Sequence, residues 1–137
     1  MEKIRKYVCG FLFDGSGNVA LIEKRRPEWQ KGRLNGVGGQ MEKGESPPRA
    51  MVREFSEEAG DEIHWRQFCL VKGDGYCVYY FVSKERAEIS SKTDEQVGWY
   101  PVNKLPANAL PNLLWLIPMA NYKYEITGTV IHPSPIC

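Results

Sequence analysis

The sequence lacks any long run of apolar residues. Its 137 residues are 42% hydrophobic, yet no stretch approaches the roughly 20 apolar residues that a membrane-spanning helix needs. The apolar patch at residues 8–13 follows basic residues, but it is shorter than the core of a secretory signal peptide and no small-residue cleavage site follows it. We therefore expect a cytoplasmic protein with no membrane partner.

An excess of charge of one sign is also missing. The formal net charge is +1 at pH 7, so the chain has no overall electrostatic footprint for nucleic acid. Only a short basic spot stands out, at Lys24, Arg25 and Arg26. We expect a small-molecule ligand and no stable nucleic-acid partner, while the sequence leaves the oligomeric state open.

Ligands for a zinc ion are sparse. The four cysteines contain no CxxC pair, and the two histidines, His64 and His132, are far apart in sequence. The cysteines therefore read as free thiols, and a structural zinc site is not expected.

What the chain does contain fits one domain, residues 1–137, with several short strands and few helices. Alternating and β-rich patterns predict strands near residues 6–13, 19–25, 65–73, 76–83 and 96–102. The first two are expected to form a hairpin around residues 14–18, residues 26–39 a polar loop, and residues 129–137 a loose tail. A second, apolar helix within residues 111–122 should be kinked or ended by Pro118. This pattern favours a mixed sheet flanked by helices.

The strongest helix prediction lies between Ser46 and Gly60. Ser46 suits an N-cap, and Pro47 and Pro48 occupy the first turn, where their missing N–H groups cost nothing. Gly60 follows a run of good helix formers, where a helix commonly ends.

This helix carries Glu54, Glu57 and Glu58 at positions i, i+3 and i+4, which puts three carboxylates on one face. They repel each other, and Arg53 alone does not offset three acids. A hard divalent cation such as Mg²⁺ would resolve the repulsion, because it prefers oxygen ligands. Considered alone, however, the three acids favour a solvated helix face over a metal site.

The spacing of the residues around the three acids favours a metal site over a solvated helix face. The segment reads Gly39-x₅-Glu45-x₇-Arg53-Glu54-Phe55-x-Glu57-Glu58-x-Gly60. It resembles the Nudix box, and all seven fixed positions match. Phe55 stands where the family usually has an aliphatic residue, and Asp61 replaces the final hydrophobe.

The resemblance implies a fold and a set of roles. The family fold is an α/β/α sandwich with a mixed β-sheet and a catalytic loop-helix-loop, and the family hydrolyses nucleoside diphosphates linked to another group. Glu54, Glu57 and Glu58 match the metal ligands. A backbone carbonyl near the first box glycine, at Gly38 or Gly39, completes the set. The cofactor is expected to be Mg²⁺, with Mn²⁺ as a possible substitute.

The same resemblance assigns the remaining catalytic positions. Glu45 and Arg53 match an ion pair that braces the loop against the helix, which would preorganise the metal ligands. The general base is either Glu57 or Glu58, or an acid in the loop before Trp99, where Glu95 is slightly preferred to Asp94. Solvated loop acids are an equally good reading of those last two residues.

Residues outside the box bear on the substrate. The segment before it resembles the subgroup that removes oxidised purine nucleoside triphosphates, although Leu34 and Val37 replace two aromatic residues. In that subgroup the asparagine at Asn35 bonds the purine, and an amide can both donate and accept. Asn35 next to Gly36 also suits a simple turn.

A second match to this subgroup lies at residues 110–120. There Asn112 and Leu113 replace two acids that recognise the oxidised base, so an identical base preference is not expected. Asn112 remains a base-contact candidate, whereas Trp115 is expected to belong to the core rather than to line a base pocket.

Other residues suggest alternatives. Tyr76, sixteen residues after Gly60, resembles a base-stacking tyrosine of members that act on dinucleoside polyphosphates, but an ordinary aromatic strand is the favoured interpretation. Arg25, Arg26 and Lys31 are candidates for substrate phosphates or simple solvated charges.

Together these features predict a metal-dependent hydrolase that converts nucleoside triphosphates to monophosphate and pyrophosphate. Hydrolysis of dinucleoside polyphosphates, or nucleotide binding without turnover, are the alternatives.

Overall fold

The chain was analysed as a computed structural model that describes residues 3–122 and 125–131. The strands are β1 (Arg5–Leu12), β2 (Asn18–Glu23), β3 (Leu34–Asn35), β4 (Val37–Gln40), β5 (Arg66–Gly73), β6 (Tyr76–Ser83), β7 (Val97–Pro101) and β8 (Gly128–Ile131). The α-helices are α1 (Pro47–Glu58) and α2 (Leu113–Ala120), and a short 3₁₀ turn spans Glu28–Gln30.

The strands form two sheets. The larger has the order β4-β1-β6-β5-β8 and is mixed, because β1 runs parallel to β6 and antiparallel to β4. The smaller has the order β3-β2-β7. Mixed pairing confirms the predicted sheet type.

The two helices cover opposite faces of the larger sheet. On one face, Val8 and Phe81 belong to a core with Met51 and Phe55 of α1. On the other, Phe11 and Tyr80 belong to a core with Leu116 of α2. Alternate residues of β1 and β6 thus feed different cores, as the two-residue period of a strand requires. The predicted α/β/α arrangement is confirmed.

The predicted hairpin is wrong in its pairing. Both strands exist, but β1 and β2 belong to different sheets, joined only by an isolated antiparallel bridge between Phe13 and Val19. Gly15 and Gly17 adopt positive φ values of 79° and 87°, so the chain turns sharply there and passes from one sheet to the other. The tight turn was therefore predicted correctly, but the pairing of the two strands that flank it was not.

Three further expectations need correction. Residues 26–39 contain β3 and most of β4, where the sequence predicted only loop. Residues 129–131 of the expected loose tail lie in β8, which pairs in parallel with β5, and residues 132–137 lie outside the described part. Pro118 lies inside α2 without ending it. In each case long-range pairing or packing overrides a weak local preference.

Helix α1 matches its prediction closely. It spans Pro47–Glu58 with Ser46 as N-cap residue, although the Ser46 side chain forms no capping hydrogen bond. The Ala50 N–H donates to the Ser46 carbonyl at 2.9 Å. No helix among the described residues is long and apolar enough to cross a membrane.

Candidate active site

Helix α1 directs its three glutamates toward different surroundings. Glu54 is buried, whereas the side chain of Glu57 is 57% exposed. Glu58 lies one turn after Glu54, with its Oε2 atom buried. The i, i+3, i+4 spacing thus places all three on one side of the helix but at different depths.

Arg53 ties the loop before α1 to the helix. Its Nε and Nη2 atoms donate to the two carboxylate oxygens of Glu45 at 2.7 and 2.9 Å, as a bidentate pair. Its Nη1 atom donates to Glu54 at 3.1 Å and to Glu57 at 3.3 Å. The hydrogen bond from Arg53 lowers the pKa of Glu45, and the same bond raises the pKa of Arg53. The structure therefore contains the ion pair that the box predicted.

Two box glycines permit a close approach of β4 to its neighbours. A Cβ atom on Gly39 would lie 2.6 Å from Oε1 of Glu54. A Cβ atom on Gly38 would collide with the carbonyl of Val8 on β1. Larger residues would push β4 away from β1 and from the Glu54 carboxylate, so the backbone of this strand stays at the edge of the acid cluster.

Glu58 has a largely buried carboxyl next to that of Glu54. Burial is the main cause that raises its pKa to about 9, followed by a hydrogen bond to Glu54 and the charge of Glu54. Its Oε2 atom has no hydrogen-bond partner among the described residues. A buried carboxyl that shares a proton with a neighbouring carboxylate offers the hard oxygen donors that a divalent ion prefers.

The full set of ligands does not converge on one point in this conformation. Among residues 3–122 and 125–131, no group of three or more acidic, histidine or cysteine side chains is close enough to hold one metal ion. The reason is visible at Glu57, whose carboxylate pairs with Arg53. The residue types fit a divalent cation, and Arg53 Nη1 holds both Glu54 and Glu57 in this conformation.

The loop acids are both engaged by basic residues. Glu95 is buried, with Oε1 3.2 Å from Lys24 Nζ and Oε2 accepting the Arg25 backbone N–H at 2.7 Å. Asp94 is exposed and forms a bidentate pair with Arg26, with distances of 3.2 and 2.6 Å. These contacts connect the loop to the end of β2. Both carboxylate oxygens of Glu95 therefore accept hydrogen bonds from the residues that follow β2.

Lys92 fixes the same loop to the C-terminal end of α1. Its Nζ atom donates to the carbonyls of Ser56 at 2.6 Å and Gly60 at 3.1 Å. The backbone N–H groups of Ser90 and Lys92 donate to Ala59 and Glu58. These donors satisfy carbonyls that a helix end otherwise leaves open. The loop that carries Glu95 is thereby held against the end of α1, a role of Lys92 that the sequence did not indicate.

A cavity of about 240 Å³ opens beside the carboxylate cluster of α1. It lies on the face of the larger sheet opposite α1, since its walls include Tyr7 and Cys9 of β1 and Val78 and Tyr80 of β6. The complete lining is Tyr7, Val8, Cys9, Lys24, Pro27, Trp29, Gln30, Asn35, Gly36, Gly38, Gly39, Gln40, Val78 and Tyr80. Gly39 therefore lies between the cavity and Glu54, and Lys24 lines the cavity while pairing with Glu95.

Asn35 lines this cavity. Its Oδ1 atom accepts the Gly36 backbone N–H at 2.8 Å, and its Nδ2 atom donates to Gln30 Oε1 at 3.3 Å. The first bond stabilises the local turn at Gly36. The second holds the 3₁₀ turn, Glu28–Gln30, over the cavity. Both readings of Asn35 are thus compatible with its position.

The other substrate candidates divide into two groups. Asn112 lies behind the cavity wall, where its Nδ2 atom donates to the Tyr80 hydroxyl at 3.4 Å and its buried Oδ1 atom has no partner among the described residues. Tyr76 is buried in the core and does not line the cavity. Trp115, expected in the core, is 41% exposed, because it faces away from the sheet on α2.

The basic candidates lie at the surface near Asp94. Arg25 and Arg26 have side chains that are 60% and 62% exposed, and both are within 4 Å of Asp94. Lys31 is exposed and lines none of the cavity.

The sequence did not predict most of the lining residues, among them Lys24, Trp29 and Tyr80. Lys24 was visible only as part of a basic spot, and Trp29 as one residue of a loop. Tyr80 differs from Tyr76 by four positions on the same strand face. Only the pairing of β6 with β1 shows which of the two tyrosines reaches the cavity.

Comparison with known families adds to this geometry. A family model described as the NUDIX domain matches residues 3–118. The chain belongs to the Nudix family. It is a Nudix pyrophosphohydrolase, an enzyme that hydrolyses the pyrophosphate linkage of nucleotide derivatives, and hydrolases of this family generally require a divalent metal ion.

Solved structures share the Nudix fold. A MutT Nudix hydrolase from Burkholderia pseudomallei is 20% identical, with 89% of this chain and all of that chain (100%) covered and a TM-score of 0.74. A structure from work on MutT of Aliivibrio salmonicida and Vibrio cholerae is 24% identical, with 76% and 89% covered and a TM-score of 0.65. An ADP-ribose pyrophosphatase from Streptococcus suis is 15% identical, with 93% and 98% covered and a TM-score of 0.69. No curated protein sequence matches the chain.

Proposed function

We propose that this Nudix enzyme is a Mg²⁺-dependent hydrolase of purine nucleoside triphosphates, oxidised purines included, that releases nucleoside monophosphate and pyrophosphate. One observation carries the proposal: a cavity lined by Asn35 and aromatic side chains shares Gly39 with the carboxylate cluster of α1. A base in the cavity would leave its phosphates beside the glutamates.

Glu54, Glu57 and Glu58 would hold the metal, with a backbone carbonyl of Gly38 or Gly39. When bound, Mg²⁺ neutralises phosphate charge and lowers the pKa of an attacking water. Mn²⁺ accepts the same oxygen ligands and would substitute. The MutT neighbours support this class of substrate, at the level of a shared fold.

Arg53 and Glu45 would position this machinery without contacting the reacting atoms. Their bidentate pair fixes the loop, and the remaining Arg53 nitrogen orients Glu54. Release of Glu57 from Arg53 would leave Arg53 anchored by Glu45, so the brace survives metal binding.

Glu57 is the best placed general base among the candidates. It is exposed to solvent, whereas both oxygens of Glu95 are occupied by Lys24 and by backbone N–H groups. We assign Glu95 a positioning role, in which it holds Lys24 between the cavity and the carboxylates.

Substrate contacts follow from the cavity walls. Asn35 would bond the base edge through its amide, and Trp29 and Tyr80 offer aromatic surface. Asn112 would act through the Tyr80 hydroxyl that it contacts. Lys24 and the exposed Arg25 and Arg26 are the cations that would meet phosphates.

A nucleotide panel tests the proposal. The enzyme is incubated with Mg²⁺ and with purine, oxidised purine and pyrimidine triphosphates, dinucleoside polyphosphates and ADP-ribose, and the products are separated. Monophosphate plus pyrophosphate from purine triphosphates is the expected result. Cleavage of dinucleoside polyphosphates alone would replace the proposed substrate, and binding without cleavage of any nucleotide would make the protein a sensor.

A further inference from the structure

A second concave surface lies next to the base cavity. It is a groove of about 500 Å³ lined by residues 3–6, which lead into β1, and by residues 40–45, which link β4 to α1. Four basic side chains line it: Lys3, Arg5, Lys6 and Lys43. We refer to these four residues and the space between them as the basic groove.

The cations of the basic groove are not neutralised by the acids beside them. None of the four lies within 4 Å of any carboxylate that the structure describes. Glu42 and Glu45 also line the groove, but Arg53 holds both, at 3.5 and 2.7 Å. In a chain whose net charge is only +1, four uncompensated cations in one groove are a local concentration of positive potential.

The basic groove begins where the base cavity ends. Gln40 lines both, and Tyr7 of the cavity is the chain neighbour of Lys6. The Met41 N–H donates to the Lys6 carbonyl at 2.8 Å, which fixes the loop against β1. Arg53 Nη2 reaches the Gln40 carbonyl at 3.4 Å, so the border between cavity and groove touches the helix that carries the carboxylates.

We propose that the basic groove binds the phosphates of the substrate that lie beyond the scissile linkage, and thereby selects linear chains of three or more phosphates. This inference rests on the proposed function, in which the base occupies the neighbouring cavity. The groove would hold the part that leaves as pyrophosphate or as a longer polyphosphate. It would contribute affinity without touching the base.

The expected size of the effect is modest. Each exposed charge pair contributes little, so the loss of three lysines together is expected to weaken binding about tenfold at low ionic strength. Salt should reduce the effect, because charges at the surface are screened over about 10 Å at 0.1 M.

The test compares two triple variants of equal charge. The groove variant is Lys3→Gln/Lys6→Gln/Lys43→Gln, and the control variant is Lys72→Gln/Lys84→Gln/Lys104→Gln, three exposed lysines that line neither the cavity nor the groove. Kinetics are measured with Mg²⁺ on the triphosphate and tetraphosphate of one purine nucleoside. In the groove variant KM should rise about tenfold for both and kcat should change less than about twofold, whereas the control variant should match the wild type.

Calorimetry provides an arm that does not depend on turnover. With Mg²⁺ present, inorganic tripolyphosphate should bind the groove variant about tenfold more weakly, while a purine nucleoside monophosphate should bind all three proteins equally. Failure of the proposed function would appear as no cleavage by the wild type, with the tripolyphosphate difference intact. Equal weakening in both variants, or no weakening in either, would overturn the basic groove as a binding site.

Discussion

Glu57 is the only box glutamate whose carboxylate is both exposed and paired with Arg53. Its position explains how one residue can serve as a brace partner and then as a metal ligand or base. The exchange costs little, because Arg53 keeps its bidentate pair with Glu45. Glu54 also accepts from Arg53 Nη1, at 3.1 Å, but it is buried, whereas no bond joins Glu58 to Arg53.

Glu57→Gln should lower turnover at least about a hundredfold, because the amide is a weaker ligand and cannot accept the proton. Steady-state kinetics with saturating Mg²⁺ measure it, and the matched control is Glu28→Gln, an exposed acid outside the site. Near-normal turnover in Glu57→Gln would show that the metal lies elsewhere.

Asn35 combines a structural and a possible recognition role within one amide. Asn35→Ala should reduce the preference for purine over pyrimidine triphosphates by about five- to tenfold, since one hydrogen bond contributes roughly 1 kcal/mol. The ratio of kcat/KM values for the two substrates is the measurement. Gln30→Ala is the control, because it removes the Asn35–Gln30 bond but keeps the amide. If the two variants show equal selectivity, Asn35 is only a support for the turn.

At the scale of elements, the loop before α1 and the helix form one unit. Arg53 and Glu45 join them from within, and Lys92 joins the helix end to the loop of Glu95. Helix α1 is therefore fixed at both ends by side chains that are not among its predicted metal ligands.

The Arg53–Glu45 pair should make stability depend on pH. The pKa of Glu45 is lowered in the folded protein by its bond to Arg53. Its contribution is thus fully present above the unfolded pKa of about 4 and is lost as pH falls through the lower folded value. Glu45→Gln should reduce the free energy of unfolding by roughly 1 kcal/mol at pH 6, and the difference from wild type should shrink toward pH 2.

Urea unfolding at a series of pH values, with a chelator to remove metal, measures this difference. Glu42→Gln is the matched control, since Glu42 approaches Arg53 only at 3.5 Å and is 68% exposed. A loss in Glu45→Gln that is constant between pH 6 and pH 2 would contradict the assigned cause.

At the scale of the whole molecule, the two sheets share their cores. Strand β2 of the smaller sheet sends Leu21 into one core and Ile22 into the other, and both are fully buried. Neither sheet can lose its partner without exposing both cores.

We therefore expect residues 1–137 to unfold as a single domain. Far-ultraviolet circular dichroism and tryptophan fluorescence should report coincident urea transitions, because the four tryptophans are distributed over the chain. Two separated midpoints would show that the sheets are independent units.

Helix α1 could be predicted from its local sequence. Its bounds and the common side of its three glutamates follow from residues within a few positions of one another, where helical geometry is fixed. The spacing of the box likewise indicated the Arg53–Glu45 pair, which the structure contains. These features are local, so sequence is sufficient for them.

The remaining features of the fold and of the site depend on contacts between distant parts of the chain. The separation of β1 and β2 into two sheets, the addition of β8 next to β5, and the placement of Tyr80 rather than Tyr76 at the cavity depend on strands far apart in sequence. The capture of Glu95 by Lys24 joins residues 71 positions apart. The apolar pattern of a strand shows which face is buried but not which strand pairs with it. The cavity forms only when these strands are paired.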